Sequence, residues 1–214
     1  MPSLMSSALP QRDPKLLFWL VLFGAVLLLL GLAHEWVNAW LWYEGDAIAA
    51  GQLWRLWTAH LVHINLWHLA MNLGGFALCC YFFTDIYTRR LLLGWLLFAP
   101  LFVSLMMLWV DDTSGTYVGL SGVLHGWLVL ALLVGFRTHP WVHALVLVLI
   151  SGRLIWEQLP AYDADYLQGW IDGSVYVNAH LYGAVAGALL ALGVIVLRRY
   201  RAGRGGGSAD NHAG

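Results

Sequence analysis

Six apolar runs, each near the length a helix needs to cross a bilayer, constrain this chain more than any motif in it. A spanning helix takes about 20 mostly apolar residues to cover a hydrocarbon core of ~30 Å. Runs near 16–33, 65–84, 91–110, 119–136, 141–157 and 176–197 meet or approach that requirement. None alternates in hydrophobicity as the strands of a membrane barrel do, so helices are the reading. Composition agrees. Of 214 residues, 60% are hydrophobic and 11% are charged, whereas a soluble domain carries about 25% charged residues. So few charges cannot cover a water-facing surface, which excludes a soluble enzyme, a nucleic-acid binder and a disordered linker. A net charge of −1 also offers no basic field to nucleic acid. The first run is long for a signal segment and lacks a small-residue cleavage site, so it is read as the first span. Cys79 and Cys80 are adjacent in one apolar run, a poor geometry for pairing, and say nothing about redox compartment. The fold class expected is all-α: a polytopic membrane protein built as a six-helix bundle.

The charges set the orientation. With the N-terminus in the cytoplasm, nine of the eleven basic residues fall inside: Arg12, Lys15, Arg89, Arg90, Arg137, Arg198, Arg199, Arg201 and Arg204. Glu35, Glu44, Asp46, Asp111, Asp112, Glu157, Asp163, Asp165 and Asp172 fall outside. The positive-inside rule then gives N-in, C-in. Three regions follow: a cytoplasmic tail at 1–15, a membrane domain at 16–197, and a basic then Gly-rich tail at 198–214 that reads as disordered. The outer connection 34–64 carries Trp36, Trp40, Trp42, Trp54 and Trp57, which suits a segment lying half in the membrane interface. Arg153 and Glu157 interrupt the apolar character at the end of the fifth run.

Polar groups inside spans are costly and by default mark function. The second span holds His68 and Asn72, the fourth opens on Gly119-Leu120-Ser121-Gly122 and continues to His125, and the sixth holds Asn178 and His180. Spans two, four and six all enter from the outer side. Ser121, His68, Asn72 and His180 therefore share one depth near the outer face. His68 and Asn72, four apart, lie on one helix face, as do Ser121 and His125. Gly122 and Gly126 on one span and His180, Gly183 and Gly187 on another form small-residue stripes that permit close helix approach. Facing stripes would bring His180 within reach of Ser121, the minimum for an activated nucleophile. No carboxylate reads as placed to complete a triad, since Asp172 lies in a loop, so a two-residue dyad is expected. Structural readings compete: Ser121 as a small packing residue, His180 as a cap, and His68 and Asn72 as interhelical hydrogen-bonding groups. His125 either stacks on His180 or hydrogen-bonds structurally, and His63 and Arg55 shape the outer loop. His60 and His63 lack a third ligand, and no H-E-x-x-H run exists, so no metal and no cofactor are expected.

These residues resemble the rhomboid family of intramembrane serine proteases. Gly119-Leu120-Ser121-Gly122 is similar to its G-x-S-G nucleophile motif. Ala179-His180-Leu181-Tyr182-Gly183 with Gly187 is similar to its A-H-x-x-G-x-x-x-G segment. His63, His68 and Asn72 match the H-x-x-x-x-H-x-x-x-N pattern of the second span, and Trp54-Arg55 the pair in the first outer loop. The resemblance covers about residues 40–197. It implies Ser121 as nucleophile, His180 as base, and His68, Asn72 and the Ser121 N–H as the oxyanion site, with Gly119, His125 and His63 as lining. Members often carry an aromatic residue four positions after the nucleophile, where this chain has His125. That departure, and a compact chain, resemble the rhombosortase branch, which is associated with bacterial proteins bearing a C-terminal Gly-Gly sorting segment followed by an apolar helix and a basic end.

The resemblance implies an endopeptidase of the bacterial inner membrane whose site faces the periplasm and whose substrates are single-span membrane proteins within the lipid bilayer. Competing classes are a general rhomboid protease with other substrates, an inactive rhomboid-like helix binder, a histidine-based transporter or proton channel, and a haem carrier. Acidic residues avoid the spans and no paired broken helices stand out, against transport. Retention of both Ser121 and His180 argues against an inactive binder.

Overall fold

The computed structural model describes residues 14–111 and 115–206. Twelve short and long elements follow in order: α1 (Pro14–Leu32), α2 (His34–Leu41), β1 (Tyr43–Glu44), α3 (Gly45–Ala49), α4 (Arg55–Thr58), α5 (Leu66–Phe83), α6 (Arg89–Trp109), β2 (Thr116–Tyr117), α7 (Ser121–Val134), α8 (Pro140–Glu157), α9 (Gln168–Ile171) and α10 (Val177–Gly206). Five of them, α1, α5, α6, α8 and α10, are long and apolar enough to cross a membrane. This is a multi-pass membrane protein.

The fourth expected span, 119–136, forms a helix shorter than its apolar run. α7 has 14 residues, about 21 Å at 1.5 Å per residue, against a core of ~30 Å. Its boundaries are set by glycine. Gly119 sits at φ +126°, a conformation L side chains rarely adopt, so the helix cannot begin there, and Gly135 caps the other end. A short helix is tolerated because α7 is wrapped by α5, α6, α8 and α10, and nine of its residues are buried. Trp127 is its anchor, with Tyr87 edge-on at 4.8 Å and Phe76 at 5.8 Å.

α7 and α10 touch backbone to backbone. A Cβ added at Gly122 would lie 2.6 Å from the Ala179 carbonyl oxygen. One at Gly126 would overlap the Gly183 carbonyl, and one at Gly187 the Gly126 carbonyl. The two small-residue stripes do face one another.

At its other end α10 departs from expectation. The chain stays helical through Gly206, past the boundary at 197, so the stretch 198–206 is helix where disorder was expected. The Gly-rich remainder from 207, and the tail before residue 14, lie outside the described residues.

The outer connection is ordered. Its centre is Arg55, 4% exposed, whose guanidinium donates to the Trp42 and Ala39 carbonyls at 2.8 and 3.0 Å and to Gln52 Oε1 at 2.8 Å. β1 pairs antiparallel with β2, Tyr43 opposite Tyr117 and Glu44 opposite Thr116. That ladder ties the outer connection to the segment leading into Ser121. Trp36 and Trp40 point outward, 82% and 71% exposed. His60 is buried beneath, its Nε2 3.0 Å from Ser104 Oγ, which in turn donates to the Leu56 carbonyl at 2.9 Å. Burial pushes the His60 imidazole down to about 4, so this knot is neutral at ordinary pH.

Candidate active site

Ser121 is the first residue of α7. Its backbone N–H therefore has no intrahelical acceptor and points toward the helix's positive end. Its hydroxyl Oγ lies 3.0 Å from His180 Nε2 on α10. The glycine seam between those helices is what brings the pair to contact distance.

His180 is held on three sides. Its Nδ1 lies 3.0 Å from Glu157 Oε2, at the end of α8. Its ring stacks on His125, centroids 4.1 Å apart and planes within 18°. His125 in turn sends Nδ1 to the Ser121 carbonyl at 2.8 Å. A carbonyl only accepts, so Nδ1 carries the proton there. Both structural options for His125, stacking and hydrogen bonding, are realised together.

His68 and Asn72 are placed by the start of α5. Asn65 caps the helix through the His68 N–H at 3.0 Å. The Ile64 N–H approaches His68 Nδ1 at 3.5 Å, which leaves Nε2 as the protonated nitrogen. That edge of the ring lies over Gly119: a Cβ there would come 2.8 Å from Nε2. Asn72, 4% exposed, spends one amide hydrogen on the His68 carbonyl at 3.0 Å and retains a second donor. His68, Asn72, Ser121 and His180 all face one cavity of about 780 Å³.

His63 does not take the lining position that the resemblance implied. It does not face that cavity or the smaller one beside it. It is fully buried behind His68, ring edge to ring at 5.1 Å, and neither of its nitrogens has a hydrogen-bond partner among the described residues. Burial, with the neighbouring His68 adding to it, pushes its imidazole down to about 3. It is a neutral backing for the His68 ring. Among the described residues, no three His, Cys, Asp or Glu side chains are grouped to hold a metal ion.

The cavity is asymmetric. Away from His180 its walls are mostly apolar, with Leu78 and Phe82 from α5 and Val142 and Val146 from α8, and His139 and His143 at the far end. A second cavity of about 530 Å³ meets it at His68 and Ser121 and is lined by polar groups of the outer connections, among them Asn38, Thr116, Asp172 and Ser174. Ser121 stands where the apolar and polar spaces join.

Residues 50–198 match the Rhomboid domain family. The chain belongs to the rhomboid family. Among relatives, the "Rhomboid protease GlpG" of Salmonella newport (strain SL254) and that of Salmonella heidelberg (strain SL476) are each 26% identical over 178 residues. The alignment covers 81% of this chain and 61% of each relative, so this rhomboid spans less than two thirds of their length.

Glu157 is the residue sequence reasoning missed. It counted as one more acidic group on the outer side, and no carboxylate was expected beside the histidine. The signal was present. Arg153 and Glu157 stand four apart at the outer end of an apolar helix, at the depth the charge rule assigns to Ser121 and His180. In the fold they pair at 2.9 Å, with Glu157 3% exposed.

Proposed function

We propose that this rhomboid is an intramembrane serine endopeptidase, and the contact of Ser121 Oγ with His180 Nε2 at 3.0 Å carries the proposal. Ser121 attacks a peptide carbonyl carbon as its proton passes to His180 Nε2, and the same proton then goes to the leaving amine as the C–N bond breaks. The oxyanion is received by the Ser121 N–H, the His68 Nε2–H and the Asn72 amide. Losing one such donor typically costs about 10²–10³ in rate. The apolar cavity between α5 and α8 admits a substrate helix, and the polar cavity supplies water to the acyl enzyme. Conduction and haem binding draw no support from this geometry, which engages His68, His125 and His180 in hydrogen bonds and ring contacts.

The substrate class follows from site and topology. With N-in, C-in orientation the site faces the outer side of a bacterial inner membrane. A substrate is then a single-span protein whose helix unwinds beside small residues, since glycine weakens a helix by about 1 kcal/mol relative to alanine. The finer proposal is a rhombosortase-like substrate, carrying a Gly-Gly pair, one apolar helix and a basic end. His125, four positions after the nucleophile where members commonly carry tyrosine, supports that branch.

The test uses the full chain in detergent or bilayers. A fluorophosphonate probe labels wild-type protein at Ser121 and leaves Ser121→Ala unlabelled. A co-expressed substrate ending in Gly-Gly, an apolar span and arginines is cut only by the wild type. Absence of labelling at Ser121 overturns the protease reading and leaves a helix-binding rhomboid. Labelling with cleavage of other single-span proteins alone overturns only the sorting-segment substrate.

A further inference from the structure

We infer that Glu157 is a positioning residue for this reaction, holding the proton on His180 Nδ1 and fixing the imidazole so that Nε2 faces Ser121. The inference rests on the Ser121–His180 reading above and extends its two-residue machinery to a Ser-His-Glu relay with Arg153 as counter-charge.

A carboxylate out of water is expensive unless every oxygen is matched, and within membrane depth the cost is higher still. Glu157 is 3% exposed. Its two oxygens are divided between two partners on different elements: Oε1 accepts from Arg153 Nε at 2.9 Å, one turn back on α8, and Oε2 faces His180 Nδ1 at 3.0 Å. A charge pair that served only to finish α8 would need Arg153 alone. The second oxygen reaches across to α10.

Arg153 is itself fixed. It donates to the Tyr162 hydroxyl at 2.7 Å and the Tyr166 hydroxyl at 3.2 Å, with its guanidinium 5.1 Å from the Tyr162 ring centre. The chain is thus continuous: tyrosines place arginine, arginine places glutamate, glutamate places histidine, histidine meets serine.

The chemical consequence is a tautomer. A neutral imidazole carries one proton, on either nitrogen, and acts as a base toward Ser121 only when Nε2 is bare. A carboxylate at Nδ1 selects that form, and it faces the imidazolium created when Ser121 Oγ bonds to the carbonyl carbon. The proton taken from Ser121 stays on Nε2 until the leaving amine receives it. Glu157 gains no proton at any step. His125 stacks on the ring face and holds its plane.

The experiment compares wild type, Glu157→Gln and Glu157→Asp on a cleavable single-span substrate. A positioning role predicts that Glu157→Gln lowers kcat by at least roughly tenfold, short of the ~10⁴ seen when the acid of a soluble triad is neutralised, while KM changes less than about twofold. Glu157→Asp recovers part of that loss. A second readout needs no variant: with isotope-labelled histidine, His180 in the wild type shows a protonated Nδ1 with a downfield proton. Unchanged kcat in a folded Glu157→Gln overturns the inference, as does a bare Nδ1 on wild-type His180, which decides the matter if the variant does not fold. Neither result touches the protease reading, which stands or falls on wild-type labelling at Ser121.

Discussion

Two helix boundaries in this rhomboid are built on opposite principles. Between α7 and α10, glycines let the two backbones touch, and Gly122, Gly126, Gly183 and Gly187 leave carbonyls against α-carbons. Between α5 and α8 lies an apolar space of about 780 Å³ bounded by Leu78, Phe82, Val142 and Val146. The first boundary carries Ser121 and His180, whose contact tolerates little displacement, because misplacement by about 1 Å can cost 10² in rate. The second presents mostly apolar side chains away from His68, Asn72 and Glu157, and under the proposed function it is where a substrate helix enters. Under the proposed function, precision and access fall to different pairs of helices around one central α7.

The sharpest way to break this contrast is to place matched bulk on each side. Gly126→Val puts a branched side chain into the Gly183 carbonyl and the Trp95 ring. Backbone cannot move aside as a side chain can, so the penalty exceeds the about 1–3 kcal/mol of ordinary overpacking. The expected outcome is little or no monodisperse protein in detergent and no Ser121 labelling. Normal yield and labelling would show that the seam is looser than its geometry. Val146→Trp adds more volume on the open side. It should fold, and a small fluorophosphonate should still label Ser121 at close to the wild-type rate. Turnover of a helical substrate should fall roughly tenfold, equivalent to about 1.4 kcal/mol of barrier. Equal losses toward probe and substrate would mean that the cavity is not the substrate's route.

The same contrast explains what could be read from the chain. The glycine stripes and the Ser121–His180 contact were legible because both are periodic: spacing by four fixes a helix face, and the charge rule fixes depth. Five of the six apolar runs became span-length helices for the same reason. α7 did not, because hydropathy counts apolar residues and is blind to Gly119 at φ +126°, which ends the helix inside its apolar run. α10 overran its boundary because arginines are good helix formers and a basic run ends a membrane segment without ending a helix. Glu157 was missed because no spacing rule connects α8 to α10; their approach is set by packing on α7. His63 was assigned to the lining by its motif, yet a motif fixes sequence distance and not which side of His68 a ring occupies.

His125 tests the precise side at its finest scale. Its ring does two things at once: it stacks on His180 at 4.1 Å and ties Nδ1 to the Ser121 carbonyl at 2.8 Å. Phenylalanine keeps the stack and drops the hydrogen bond, whereas alanine drops both. Aromatic pairs contribute about 0.5–1.5 kcal/mol beyond burial, so His125→Ala should lower kcat by roughly two- to tenfold. The lost bond joins residues four apart on one helix, whose ladder already orders them, so His125→Phe should stay within about twofold of wild type. If both variants fall equally, the hydrogen bond rather than the stacked ring holds the base, and α7 controls His180 through the placement of Ser121 alone. If neither falls, the orientation of His180 comes entirely from α8, and the glycine seam supplies distance while Glu157 supplies direction.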